Sequence, residues 1–155
     1  MFAPEEAVTR AEFSALLANV LSTGEEGAEI AFSDVGEGDW YRKAVNFAAS
    51  SGYMRGYGDG SFLPNKNITL SEAAACIARA MSDSASAQSI NADEVLSGVS
   101  FSSQLDGWEK DCFAQLILNH MFSKFYEGRI VEKDRPLTRA EAAVLIYRLK
   151  NFKGV

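Results

Sequence analysis

The chain has 155 residues, 47% of them hydrophobic and 23% charged, with 15 basic against 21 acidic side chains for a net charge of −6. This is the composition of an ordinary soluble globular domain, and it excludes a disordered chain, a collagen-like chain and a disulfide-dense miniprotein. The acidic balance argues against bulk attraction to nucleic acid or to an anionic membrane, no apolar run approaches the roughly 20 residues of a membrane helix, and MFAPEEAVTR does not read as a signal peptide.

In chain order, the first helix is expected to open at Thr9. Thr9 and Glu12 have the spacing of a capping box, Val8 precedes them as a hydrophobic staple would, and Phe13, Leu16, Leu17 and Val20 follow at helical spacing. Residues 22–31 read as a connector. Phe32-Ser-Asp-Val leads to a second helix whose apolar stripe is Trp40, Ala44, Val45, Phe47 and Ala48. A glycine-rich turn follows, Gly52 to Phe62, in which Gly56, Gly58 and Gly60 alternate with Tyr57 and Asp59. Positive-φ backbone is the expected reason for these glycines, because the strand, lysine and helix of a phosphate loop are missing.

The pattern then recurs. Thr69 and Glu72 cap a helix that carries Ile77, Ala80 and Met81, with Ile68 as its staple. Residues 82–99, rich in Ser, Ala and Asp, read as a second connector with at most a short helical turn. Phe101 and Trp108 repeat Phe32 and Trp40, and Cys112, Leu116 and Ile117 continue the stripe. The turn from His120 to Ile130 keeps only Gly128 of the glycines. Leu137, Thr138 and Glu141 begin the last helix, with Leu145, Ile146 and Leu149. The stripe residues, both tryptophans included, are expected in the core. The order is thus tail, head, tail, head, tail, with tails at 60- and 69-residue intervals.

Two cysteines and one histidine are too few for a zinc site of the usual kind, and no cofactor is implied. Cys76 and Cys112 read as buried free thiols, with a mutual disulfide left open. His120 reads as a helix-end residue, so no Ser-His-Asp or Cys-His arrangement supports catalysis.

Arg10 and Arg139 each follow a capping Thr. A cation at the first helical position opposes the helix dipole, so stability alone does not ask for it. Two readings stay open. In one, the guanidinium and free helix-end amides make a carboxylate site; in the other, the arginine pairs with an acid of the neighbouring repeat. Leu70 stands at the same position of the middle tail, which should keep its helix and lose the arginine's role.

The run Phe32-Ser-Asp-Val…Trp40…Ala44-Val45…Gly56-Tyr-Gly-Asp-Gly-Ser-Phe-Leu-Pro64…Ile68-Thr69, with Thr9-Arg-Ala-Glu12 and Thr138-Arg-Ala-Glu141, resembles the S-layer homology family. The resemblance implies an all-α, pseudo-threefold module: a central three-helix bundle, peripheral helical prongs and glycine-rich turns. It makes residues 1–155 one module, with repeats near 1–24 (partial, without its head), 32–82 and 101–150. It further implies a non-catalytic, extracellular cell-wall-binding role, with a signal peptide expected upstream. The ligand would be an acidic, often pyruvylated, secondary cell-wall polysaccharide held by Arg10 and Arg139, with Trp40, Tyr57, Gly58 and Asp59 lining the groove. The alternative is a degenerate module that packs against a protein partner or itself.

Overall fold

The computed structural model describes residues 3–24, 27–82, 90–99, 102–122 and 132–155. Phe2, Phe101 and the second turn over 123–131 lie outside the described residues. The described residues form α1 (Arg10–Leu21), α2 (Arg42–Ser50), α3 (Leu70–Ser82), α4 (Ala92–Val95), a 3-10 turn (Ser102–Gln104), α5 (Gly107–Leu118) and α6 (Arg139–Lys153), with no β-sheet among them. The fold is all-α, as the sequence implies. None of these helices is long and apolar enough to cross a membrane.

The three tail helices begin at their capping boxes. The Glu12 amide donates to Thr9 Oγ1 at 3.2 Å and the Thr9 amide donates back to Glu12 Oε2 at 2.9 Å. The corresponding pairs are 3.1 and 3.0 Å at Thr69 and Glu72, and 3.3 and 3.0 Å at Thr138 and Glu141. Val8, Ile68 and Leu137 are buried beside the caps. Leu70 opens α3 with its cap intact, as expected.

Main-chain bonds tie these three starts together in a cycle. Val8 donates to the Leu137 carbonyl, Leu137 to Ile68 and Ile68 to Val8, each at 2.9 Å. The first two amides of each tail helix donate to the neighbouring segment: Arg10 and Ala11 to Lys66 and Pro64, Leu70 and Ser71 to Arg135 and Lys133, Arg139 and Ala140 to Glu6 and Pro4. These six bonds measure 2.8 to 3.0 Å. With the capping box supplying the remaining partners, the four donors that a helix start normally leaves unpaired are satisfied in all three helices.

α2 packs along α1, α5 along α3, and α6 against both α1 and α3; α4 rests on α5. One apolar cluster runs through the whole, with Phe13, Leu17, Phe62, Ile68, Leu70, Phe113, Leu116 and Leu137 fully buried. α4 falls in the stretch read as the second connector, while the described residues of 22–31 form no helix or strand. His120 follows the C-cap of α5 in the left-handed region (φ 57°), where its amide donates to the Ile117 carbonyl. Glycine is the commoner residue there.

Trp40 and Trp108 are not core residues. They are 68% and 53% exposed. α2 starts only at Arg42, so Trp40 sits in the preceding turn and Tyr41 turns inward instead; in α5 the residue after the tryptophan, Glu109, is the buried one. Positive φ does not explain all three turn glycines either, since of Gly56, Gly58 and Gly60 it applies to Gly60 alone (φ 83°). Gly56 is required by close packing, because a Cβ there would lie 2.4 Å from Phe32 Cε1 and 2.8 Å from the Ser61 carbonyl oxygen. Gly56→Ala should therefore lower unfolding free energy by about 1–3 kcal/mol in urea titration. Gly58→Ala, whose added Cβ meets nothing within 4 Å, is the control and should change it by less than about 0.5 kcal/mol.

Candidate functional site

The starts of α1 and α3 and the turn from Arg55 to Phe62 converge on Arg10. Although it begins a helix, Arg10 is only 4% exposed. Its Nε donates to the Phe62 carbonyl at 2.8 Å, its Nη2 to the Arg55 carbonyl at 2.7 Å, and its Nη1 lies 3.4 Å from Glu72 Oε1. The guanidinium also lies over two rings, 5.0 Å from the centre of Tyr57 and 4.6 Å from that of Phe62. A planar, weakly hydrated cation suits such a site; a lysine ammonium could not serve the same acceptors and both rings.

Tyr57 and Lys66 extend this cluster towards solvent. The Tyr57 hydroxyl donates to Glu72 Oε1 at 2.8 Å. Lys66 Nζ donates to the Tyr57 hydroxyl at 2.9 Å, sits 5.1 Å from its ring centre and lies 3.5 Å from Glu72 Oε1. The Lys66 side chain is 45% exposed, so the ammonium is the cation of this group that meets water. Its pKa is raised, chiefly by the Tyr57 hydroxyl.

The turn that carries Tyr57 is fixed from both sides. Asp34 accepts the Phe62 and Leu63 amides, one on each carboxylate oxygen at 2.8 Å, and so holds Leu63 at its positive φ of 56°. The Phe32 ring packs on Phe62 at 5.2 Å. Asp59 accepts from the Ser61 amide and hydroxyl, bonds that hold its carboxyl below the ordinary range. Asp59 and Gly58 are exposed at the turn tip, and Trp40 packs edge-on against Tyr41. Of the residues the sequence singles out, the structure therefore joins Arg10 and Tyr57 directly and places Arg139 elsewhere.

Arg139 faces the start of α1, with Nη2 2.7 Å from Glu12 Oε1 and Nη1 3.5 Å from Glu6 Oε2. The third junction has the buried Leu70 in place of an arginine. There Arg135 grips Glu141 with both Nη atoms, at 2.9 and 2.5 Å, and Lys133 Nζ lies 2.9 Å from the buried Glu109. Lys66 and Arg135 each stand three residues before a capping Thr, as does Glu6. Sequence reasoning missed Lys66, Arg135, Lys133, Glu109 and Asp34 as site residues, although the shared register of Lys66 and Arg135 was visible in the repeat.

The contact with an acid of the neighbouring repeat is thus present at both arginines. The helix-end amides expected to be free are not free, since each donates within the cycle of main-chain bonds. Burial opposes ionisation of Glu72, but the Thr69 amide, the Tyr57 hydroxyl and the charges of Arg10 and Lys66 outweigh it and hold the carboxyl below 4.5. Glu12, Glu141 and Glu109 shift the same way against the same opposition, through Thr9 and Arg139, through Arg135 and Thr138, and through Lys133 and the Asp106 amide. Both cysteines are free, and burial pushes the Cys76 thiol up to about 12, the opposite of an activated nucleophile.

Residues 31–74 match the family model of the S-layer homology domain. The chain carries an S-layer homology domain. The matched stretch contains α2, the glycine-rich turn and the start of α3, and with them Tyr57, Phe62, Lys66 and Glu72. Similar proteins include the exoglucanase XynX of Acetivibrio thermocellus, 32% identical over 96% of this chain and 13% of that protein. The cellulosome-anchoring protein of the same species is 29% identical over 96% of this chain and 33% of its own length. The surface layer protein of Brevibacillus choshinensis is 34% identical over 52% of this chain and 8% of its own length. The chain therefore spans a third or less of each of these relatives.

Arg135→Ala should leave the Glu141 carboxylate without its guanidinium and cost about 1.5–3 kcal/mol, read by urea denaturation. The four depressed glutamates also set a pH dependence. Each contributes stability that is fully present above its unfolded pKa, near 4.5, and is lost as pH falls through the lower folded value. The Tm should be level between about pH 7 and 5 and fall steadily below about 4.5; a Tm level down to pH 3 would contradict the assigned shifts.

Proposed function

We propose that this chain is a non-catalytic cell-wall-binding module. It holds a surface protein on the outside of the cell by binding an acidic secondary cell-wall polymer, such as one with pyruvylated sugars. Relatives named as a cellulosome-anchoring protein and a surface layer protein support the anchoring role. The small share of the exoglucanase that the chain matches fits a module carried beside other parts. An approximate threefold arrangement belongs to the same reading and is supported by the cyclic junction bonds.

The observation that carries the ligand class is the cluster of Arg10, Lys66, Tyr57 and Glu72. Two cations share one carboxylate there, in a chain whose net charge is −6. A local cationic point of this kind can select an acidic group against the general field. Lys66 and the half-buried Tyr57 meet the sugar acid and ring. Arg10 holds Tyr57 in place and supplies the buried charge, since its own donors face protein acceptors. Gly58 and Asp59 form the rim and Trp40 offers a further exposed ring. Arg139 is the more exposed arginine, but two acids already neutralise it, so it contributes less.

The alternative is an interaction module that packs on a protein. The exposed Tyr147 on α6 favours it. Apolar association would persist at high salt, whereas a contact between cations and a sugar acid weakens as salt rises or the acid is protonated.

Retention on cell-wall sacculi, with and without their secondary polymer, tests the binding role. Wild type should be retained only when the polymer is present. Lys66→Ala should weaken retention about tenfold or more with an unchanged helical spectrum, Arg139→Ala less so. Arg10→Ala should reduce both binding and stability. Equal retention on stripped sacculi, or none on intact sacculi by folded wild type, would overturn the reading.

A further inference from the structure

The seat of the second head differs from that of the first at three positions. Counting from the capping threonines, Ser71 of α3 stands where α1 has Ala11 and α6 has Ala140. In the same count, Lys133 stands where Pro64 and Pro4 precede the other two tail helices they serve. Counting from the tryptophans, Glu109 of α5 stands where the first head has Tyr41. Ala11, Tyr41 and Pro64 are uncharged and buried. Their counterparts are a hydroxyl, a carboxylate and an ammonium.

The fold brings these three together from three elements. The Ser71 amide of α3 donates to the Lys133 carbonyl at 3.0 Å. Lys133 Nζ donates to Glu109 Oε2 at 2.9 Å and lies 3.4 Å from Asp106 Oδ2, while the Asp106 amide donates to the same Glu109 oxygen at 2.8 Å. Glu109 is 3% exposed and Ser71 4%, whereas the Lys133 side chain, at 21%, reaches water. The Ser71 hydroxyl is buried and makes no ordinary hydrogen bond among the described residues. It nonetheless faces Glu109: burial opposes ionisation of that carboxyl, and Lys133, the Asp106 amide and Ser71 together outweigh it. A buried ion pair adds little net stability over an apolar set of the same shape, but an arrangement that supplies only one of its partners is heavily penalised. Glu109 seated on α1 would meet Ala11 and Pro64, which offer it neither cation nor hydroxyl. Tyr41 seated on α3 would leave Lys133 without its buried carboxylate. Two similar heads on similar tails can otherwise exchange, including between copies of one chain.

We propose that Ser71, Glu109 and Lys133 form a polar clasp that seats the second head on α3 and on no other tail, a pairing code set against the uncharged Ala11, Tyr41 and Pro64 of the first head. Lys133 closes it from the segment before α6, so the clasp also ties α5 to the main-chain cycle at the start of α3. It operates whether or not the groove at Arg10 takes a glycan.

The test compares the full chain with two variants, Lys133→Met alone and Ser71→Ala/Glu109→Met/Lys133→Met together. Three quantities are read: hydrogen exchange in α5 with α2 as internal reference, Tm, and the share of dimer after refolding at high protein concentration. Lys133→Met leaves Glu109 buried without its cation. It should speed exchange in α5 about tenfold or more relative to α2 and lower Tm by about 5 °C or more. The triple variant is uncharged throughout, like the set of the first head, and should recover most of both losses. Having lost the code, it should refold to a several-fold larger share of dimer than wild type, through heads exchanged between copies. An unchanged Lys133→Met variant, or exchange that quickens equally in α2 and α5, would overturn the proposal. So would a triple variant no more stable than Lys133→Met, or one that refolds to monomer as completely as wild type.

Discussion

Three main-chain hydrogen bonds, Val8 to Leu137, Leu137 to Ile68 and Ile68 to Val8, hold three helix starts against one another. A helix start ordinarily leaves donors for water or a ligand to satisfy. Here the extended segment before the next tail helix takes two of them, and the capping box takes the rest. The direction of each tail helix is thereby tied to that of its neighbours, and the heads can pack only on faces that the cycle leaves outward. The first residue of each helix is also aimed, not at its own helix, but across the junction. This accounts for an arginine where the helix dipole is unfavourable: its partner is the capping glutamate of the neighbouring repeat, and the contact acts between helices.

Each junction must therefore supply a cation to a half-buried carboxylate, and the three do so differently. Glu12 takes Arg139; Glu72 takes Arg10 and Lys66; Glu141 takes Arg135 from its own repeat, because Leu70 has nothing to offer. The residue three positions before the capping Thr is acidic where the neighbouring arginine is already bound by two acids, and basic at the other two. Among the described residues, two cations converge on the Glu72 carboxylate and an aromatic hydroxyl joins them, an arrangement that the described contacts of Glu12 and Glu141 do not repeat. A difference in local stoichiometry thus sets one junction apart from the other two, although their main-chain bonds are the same.

What the sequence made legible was local. Thr9, Thr69 and Thr138 cap their helices because the capping box closes within four residues, and Leu70 leaves it intact. The core positions of α1, α3 and α6 followed from the same starting points. Trp40 and Trp108 were misjudged because a stripe is only as good as the helix start from which it is counted, and both precede or open their helices. The amides of Arg10 and Ala11 could not be assigned to Lys66 and Pro64 without the fold, since no local pattern records a partner some fifty residues away. Gly56 is glycine because of Phe32, and Asp34 is aspartate because of Phe62 and Leu63; each pair is distant in sequence.

The loss of an arginine at position 70 and the decay of the second turn can be understood together. Arg10 is enclosed by the turn that follows α2, the helix that packs on α1. The head on α3 is α5; Ser103, just before α5, stands in the place of Asp34, and the sequence after α5 lacks the Gly-Tyr-Gly-Asp-Gly run. A serine cannot fork two amides as a carboxylate does. A guanidinium at position 70 would need partners of the kind that stabilise Arg10, because an unpaired buried cation costs several kcal/mol, on the order of 3–5. A leucine there has no such requirement and is fully buried in the core. The remaining charge problem, Glu141, is met from within the third repeat by Arg135. At Arg10 turn and arginine act together, whereas the capping box at Thr69 holds its helix start without an arginine beside it.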